Sequence, residues 1–589
     1  MLAPSLLAGV ALSAALSACS RPTAAREISP MSGKRVAGDH GMVAASHPDA
    51  AAAGAQVLRA GGNAIDGFVA TAFALSVTDV SQTGLGGGGA MTYYDATTKR
   101  TEHLSFYPRS GDDPAWGTAE PVATRAQGRG AATPGQVAGL LEAHTRWGSL
   151  PLAQVMAPAI RLAREGFIVS PLLARTIASA KAKLALDALA AARFMPGGSP
   201  LRPGDRLVQP ELAVTLERVR DGGREAFYTG PIAQHLATKV QSLGGLITVQ
   251  DMARYPVTAM RPLCTDWRGY TVLGAPPPMG GSSVLEMLQI ADASGVADAG
   301  GFTNTPAAVV KMADILRIAG ADANRWRGDP LAQRVPAHGV SHPGFAQARA
   351  GLVGGALPDT AVAGDPWAFD TAGVSVACRA LDPYPAVSAS ITAPANDDHD
   401  VRRRNDGTEE GESFTSHLAV VDAKGSAVSA TTTVGVLFGS GVYTDGFFLN
   451  SSGSNFDART RGTNRYANST MSPTLILERG TVRLVIGAAG SQYIQPAITQ
   501  VTLRLLAFGE DPFIAVAAPR IYAAASLKDV EVEPGYATTV YQALVTRGYT
   551  PVSRVADITF GGVHAIFVSK QGTRIGVADP RRDGVAAGY

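Results

Sequence analysis

The densest run of chemistry-bearing side chains in this sequence is Thr415-Ser416-His417, followed a short hairpin's length later by Ser429 and by Thr431-Thr432-Thr433. A threonine hydroxyl is a weak nucleophile unless a base adjoins it. One solution makes the residue a chain terminus, so that its own α-amine accepts the proton. An α-amine titrates at about 7.7–8.0, close to working pH, which suits a general base. Such an arrangement requires cleavage of the Phe414–Thr415 bond. On periodicity alone, the same run reads as an ordinary threonine-rich β-hairpin.

Other chemistries find less support. Gly84-Leu85-Gly86-Gly87-Gly88-Gly89 satisfies G-x-G-x-x-G, but consecutive glycines do so trivially, and no G-K-[ST] follows. The run suits backbone that passes close to another segment or to a ligand. The histidines show no H-E-x-x-H and the cysteines no C-x-x-C, so no metal and no cofactor is expected. No G-x-S-x-G elbow occurs, although a triad dispersed along the chain stays open. A net charge of +2 over 589 residues gives no basic field, so nucleic acid is not an expected partner. With 46% hydrophobic and only 17% charged residues, the chain is globular and rich in small side chains, which favours tight backbone packing.

The elements that must position the hydroxyls follow from local patterns. Pro48 to Ala74 is alanine-rich and broken by Gly61-Gly62, which predicts two packed helices joined by a glycine turn. Leu150 to Phe167 and Gln495 to Phe508 are further helical stretches. His417 to Asp422, Ala427 to Thr433, Thr474 to Leu477 and Val482 to Ile486 are β-rich, and the turns Ala423-Lys424-Gly425 and Glu478-Arg479-Gly480 join them in pairs. Hairpins alternating with helices predict an α+β layered fold. Ala393 to Glu412 is almost wholly polar, which predicts a mobile loop, either a surface insertion or a leader whose end is freed by cutting.

The Thr415 stretch resembles the signature of the γ-glutamyltransferase (glutathione hydrolase) family of N-terminal-nucleophile hydrolases. The resemblance extends through Gly61 to Asp66, Gly84 to Gly89, Thr133 to Gly139, Met156 to Ile160, Phe227 to Gly230, Gly244 to Thr248 and Pro276 to Pro278. It continues through Met471 to Thr474 and Pro519-Arg520 to Asp579 to Gly584, with Asp329 to Glu412 matching poorly. It implies an αββα sandwich made from a precursor that cuts itself before Thr415 into a large subunit (37–414, of which 393–414 is the polar leader) and a small one (415–589) that stay together. It also implies roles: Thr415 as nucleophile, Thr433 as its supporting hydroxyl, and Gly490 and Ser491 as main-chain donors to the oxyanion. Ser469 and Thr470 match the serine pair beside the substrate, a small amide or peptide.

A γ-glutamyl group carries a free carboxylate and a free amine, so its pocket needs a cation and an anion or acceptors. Those positions depart from the family pattern. Tyr107 stands where the arginine belongs, with Arg109 two residues on; Gly435 follows the second threonine in place of asparagine or glutamate; and Asn455 replaces the amine-binding aspartate, with Ser452 and Asp457 nearby. Three functions follow as expectations. One is γ-glutamyl amide cleavage or transfer through Arg109, Asp457, Ser452 and Asn455. The second is an amidase for a bulkier, less charged acyl group, as in the cephalosporin acylases that resemble this family. The third is a non-catalytic surface binding module.

Met1 to Cys19 has an apolar core, Leu6 to Leu16, too short to span a bilayer, and ends Leu16-Ser17-Ala18-Cys19, which resembles a bacterial lipobox. The expectation is an exported, periplasmic or membrane-anchored chain, lipidated at Cys19 and touching membrane only through that anchor. Cys264 and Cys378 are available to pair, and their spacing leaves the pairing open.

Overall fold

A computed structural model describes residues 33–118, 127–370, 378, 413–456, 460–558 and 560–589. The leader with Cys19, the polar segment 393–412 and Asp457 lie outside the described residues.

Two seven-stranded antiparallel sheets form the centre. The first runs Val585–Gly588, Met42–Ala45, Ser413–Val421, Ala427–Val436, Gly88–Tyr94, Thr101–Phe106, Thr258–Met260. The second runs Arg35–Gly38, Arg574–Ala578, Gly562–Val568, Thr481–Ala489, Thr474–Glu478, Tyr270–Gly274, Leu263–Trp267. Successive side chains of a strand point to opposite faces, so one strand can feed two cores. In Ser413–Val421, Leu418 and Val420 pack with the helix residues Phe68 and Leu75, whereas Ala419 and Val421 meet Leu475 and Val485 of the other sheet. Ile476, Leu484 and Ile486 of that second sheet turn outward to Leu285, Ile315 and Ile498 on its covering helices. Helix, sheet, sheet and helix are therefore stacked over three apolar layers, the αββα sandwich expected.

The paired helices are Pro48–Arg59 and Ala64–Thr78, joined through Gly61 at φ +93°. The second is apolar all round and buried along its whole length, and a capping box between Asn63 and Asp66 starts it. Leu152–Glu165 is helical as expected, and Ile494–Thr502 continues into a wider π-turn at Leu503–Ala507. Cys264 and Cys378 are joined as a disulfide, their Cα atoms 5.9 Å apart.

Buried charges fix the C-terminal turn. Asp579 receives Arg520 Nη2 at 2.6 Å and Arg581 Nη1 at 3.0 Å, and Arg581 also pairs with Glu533. Burial alone would push the Asp579 carboxyl up, but the two guanidiniums hold it well below the usual range.

Glu286, on helix Gly281–Ala293, is the opposite case: it is fully buried and lies beside Asp322, which is already engaged by Arg349 at 2.8 Å. Burial, and then Asp322, raises its carboxyl well above the ordinary value. The folded state thus keeps a proton that the unfolded state releases, so this site costs stability as pH climbs above the unfolded value, by up to about 1.4 kcal/mol per pH unit. Glu286→Gln should therefore melt close to the parent at pH 4.5 and above it at pH 8; an advantage that shrinks with rising pH would refute this account.

Candidate active site

Strands Ser413–Val421 and Ala427–Val436 lose register at Thr415. Phe414 pairs with Gly435 but Ser416 pairs with Thr432, so two residues of the second strand, Thr433 and Val434, face one of the first. This is a β-bulge, which frees ladder groups and bends a strand. The freed groups are taken up by one hydroxyl: Thr433 Oγ1 donates to the Phe414 carbonyl at 2.5 Å and accepts from the Gly435 N–H at 2.7 Å. Gly435 itself lies at φ +92°, where a side chain would be strained and would run into Ser451. Thr415 is buried.

The glycine run lets a third strand approach this bulge. A β-carbon on Gly87 would collide with the Thr433 carbonyl, one on Gly88 with that of Phe106, and one on Gly89 with that of Thr431. The run is thus a close approach of backbone to backbone, as its composition predicts. Across the sandwich, the His417 ring packs where Gly487 has no side chain, and its Nδ1 meets the Thr431 hydroxyl at 2.9 Å. Burial pushes its imidazole down to about 3, so it is neutral and belongs to the core between the sheets.

The proposed oxyanion donors sit where strand Thr481–Ala489 gives way to a short turn. Gly490 adopts φ +131° and Ser491 φ +50°, and the turn Ser491–Tyr493 packs on the strand that carries Thr415. The segment 469–472 is pinned from several sides: the Ser469 N–H donates to the Pro278 carbonyl at 3.2 Å, and the Thr470 carbonyl accepts Gln495 Nε2 at 3.0 Å.

Tyr107 is buried, and its hydroxyl accepts Asn455 Nδ2 at 3.0 Å within reach of the Ser452 and Ser469 hydroxyls. Four of the residues that sequence singles out for substrate binding therefore meet around one phenol. Burial raises that phenol above its ordinary value, so it stays neutral. Arg109 does not join this cluster. Its guanidinium donates to the Asn464 carbonyl and lies 4.8 Å over the Tyr466 ring. The expectation that Arg109 stands in for the displaced arginine thus meets a side chain already committed elsewhere.

Sequence reasoning missed a polar chain on the other side of Thr415. Asp79 ends helix Ala64–Thr78; its carboxylate accepts the Ser416 hydroxyl and, at 2.6 Å, Gln82 Nε2. Gln82 Oε1 accepts Arg582, whose Nη1 also donates to the Thr415 carbonyl at 3.1 Å. Ser416 was in view within the nucleophile stretch and Arg582 within the terminal motif, but nothing local couples either to Asp79.

The fold agrees with what the chain is similar to. A family model for γ-glutamyltranspeptidase matches residues 50–589, and the chain belongs to that family. It is 33% identical to the glutathione hydrolase proenzyme of Bacillus subtilis (strain 168) over 569 residues, covering 94% of this chain and 92% of the relative. It is equally 33% identical to the acylase ACY 1 proenzyme of Pseudomonas sp. (strain V22), covering 94% of each. Its fold matches that of a cephalosporin acylase from Bacillus halodurans with a TM-score of 0.77 at 24% identity, covering 98% of this chain and 99% of the other.

The glycine contacts yield a paired test. Gly87→Ala should push Thr433 off the Phe414 carbonyl, slowing appearance of the two subunits at least tenfold and costing about 1–3 kcal/mol of stability. Gly84→Ala, whose β-carbon would meet only Val434 Cγ1 at an ordinary 3.7 Å, should cut as the parent does on a denaturing gel. Equal cutting in both variants would contradict the role given to the close approach.

Proposed function

We propose that this member of the γ-glutamyltranspeptidase family is a self-processing threonine amidohydrolase and acyltransferase, acting on γ-glutamyl amides of the glutathione type or on a related acyl amide. The observation that carries the reading is the bulge at Thr415, with the Thr433 hydroxyl on the Phe414 carbonyl. In the precursor, that hydroxyl polarises the carbonyl and the Thr415 Oγ attacks its carbon. The C–O bond forms, the C–N bond breaks with its nitrogen taking a proton, and water hydrolyses the resulting ester. Thr415 is left with a free α-amine and Phe414 with a carboxylate.

In turnover the α-amine takes the Thr415 hydroxyl proton as Oγ attacks the substrate amide. The Gly490 and Ser491 N–H groups stabilise the oxyanion, a main-chain role that tolerates the serine side chain. The ammonium returns its proton to the leaving amine, and the acyl group passes to water or to an acceptor amine.

A second reading, an acylase for a less charged acyl group, is favoured by the Tyr107 cluster. A neutral phenol hydrogen-bonded to Asn455 cannot supply the charge that a free α-carboxylate needs in a dry pocket, where losing one partner of an ion pair typically costs a few kcal/mol. The Pseudomonas relative is named as an acylase. Export as a lipoprotein is a separate proposal, supported by the Met1–Cys19 sequence and by the Cys264–Cys378 disulfide, a bond that persists in oxidising compartments.

Intact mass should give two fragments meeting between Phe414 and Thr415 in the parent and one uncut chain in Thr415→Ala; an uncut, folded parent would favour a non-catalytic binding module. On the second reading, uncharged acyl compounds among chromogenic anilides should exceed the γ-glutamyl one in kcat/KM. Tyr107→Arg should then shift the ratio toward γ-glutamyl at least tenfold, about 1.4 kcal/mol, and an unmoved ratio would count against the phenol as the selector. For the anchor, expression in a bacterial host with labelled palmitate should mark the parent and not Cys19→Ser.

A further inference from the structure

Two buried groups of opposite charge end one hydrogen-bonded chain beside the nucleophile, Arg582 at Thr415 itself and Asp79 at the next residue, and neither acts in the chemistry described above. Asp79 holds the next residue through the Ser416 hydroxyl; Arg582 holds the Thr415 carbonyl; Gln82 joins the two. We propose that Asp79 and Arg582 are positioning residues that set the protonation of the Thr415 α-amine, Asp79 favouring its ammonium form and Arg582 its neutral, proton-accepting form. The inference rests on Thr415 being an N-terminal nucleophile.

The geometry bounds the effect. Arg582 Nη1 is 3.1 Å from the Thr415 carbonyl oxygen, and covalent dimensions keep a residue's nitrogen within about 3.6 Å of its own carbonyl oxygen, so the cation lies within about 7 Å of the amine. At that range in a buried site a charge moves a neighbouring titration by about one pH unit. Arg582 is only 3% exposed, and the absence of a side chain on Gly562 leaves room for its shaft. Burial lowers its guanidinium to about 10 while Asp79 opposes the loss, so it is cationic at neutral pH. Burial pushes the Asp79 carboxyl up to about 7, so its charge changes where an α-amine titrates.

The other charged and titratable groups of these elements are otherwise engaged. Asp579 is taken by Arg520 and Arg581, Asp583 accepts the Ser170 hydroxyl, and Lys34 donates to the Asp579, Arg582 and Gly584 carbonyls. Asp557, on the loop that precedes strand Gly562–Val568, acts on Arg582 through space. His417 and His564, facing from the two sheets, are kept neutral by burial.

After cleavage, Thr415 is a chain end, and chain ends fray unless tied down. Anchoring its carbonyl and the following hydroxyl keeps the amine beside its own Oγ. A pair retained only for this anchoring would change the rate without moving the titration.

The test is the acidic limb of kcat/KM against pH for the best anilide, with the rate of phenylmethanesulfonyl fluoride addition to the small subunit, read by mass, as a second readout. Asp79→Asn should move the limb about one pH unit down, Arg582→Met about one unit up, and Arg582→Lys should restore it toward the parent. Shifts of the same sign, or unmoved limbs in variants that cut normally, would overturn the proposal. Should Arg582→Met fail to fold, Asp79→Asn decides alone, since a limb that stays or rises refutes the pairing. A parent that never cuts at Phe414–Thr415 would instead defeat the nucleophile reading, which the mass of the same preparation shows.

Discussion

The site depends on one break in a β-ladder. Between Phe414 and Ser416 the first strand advances two residues while its neighbour advances three, so a carbonyl and an amide that would otherwise face each other are released into a buried region. Buried polar groups without partners are expensive, and the fold supplies partners at close range. One hydroxyl, that of Thr433, serves both Phe414 and Gly435, and one guanidinium, that of Arg582, serves Thr415. The Phe414–Thr415 segment is thus held by side chains in place of a ladder.

The sandwich supports that break from both faces. On the helix side, an apolar helix with no exposed face carries Asp79 at its C-terminal end, a poor location for a carboxylate unless donors meet it there. Ser416 and Gln82 meet it. On the opposite side, the Asp579, Arg520, Arg581 and Glu533 network locks the turn from which Arg582 projects. Removing one member of such a network strands the others, at a cost of about 3–5 kcal/mol. The network therefore fixes the direction of Arg582 more than it adds net stability.

Local pattern was enough for the strands, the paired helices and the glycine run, because each is written in neighbouring residues: a β-rich run for Leu418 to Val421, alanines broken by Gly61-Gly62, and glycine where three strands crowd. The layered order and the roles of Thr433 and Gly490 came from the family resemblance, since periodicity alone reads the nucleophile stretch as a plain hairpin. The Asp79, Gln82 and Arg582 chain was illegible because Asp79 lies 337 residues from Ser416 and Gln82 lies 500 from Arg582, and each has an ordinary surface residue's identity. Arg109 shows the complementary limit. Proximity in sequence to Tyr107 says nothing of direction, and the neighbouring strand pairings with Thr133 and Tyr466 carry its side chain to Asn464. The Cys264–Cys378 bond was open for lack of any local cue to distance.

The division between what this chain keeps and what it has changed follows from which atoms do the work. In the proposed mechanism, the groups that act on the reacting bond are main-chain N–H groups at Gly490 and Ser491, a terminal amine, and hydroxyls placed by strand register. Replacing a neighbouring side chain leaves such groups where the backbone puts them. In that same proposal the acyl end of a substrate meets side chains outside the strands, Tyr107 beside Asn455, Ser452 and Ser469, where a single replacement turns a cation into a neutral donor. A pocket of that kind changes its preference in steps of charge, while the backbone-built reaction centre persists. Chemistry in this fold is therefore conservative by construction, and specificity is carried by the residues that the register does not control.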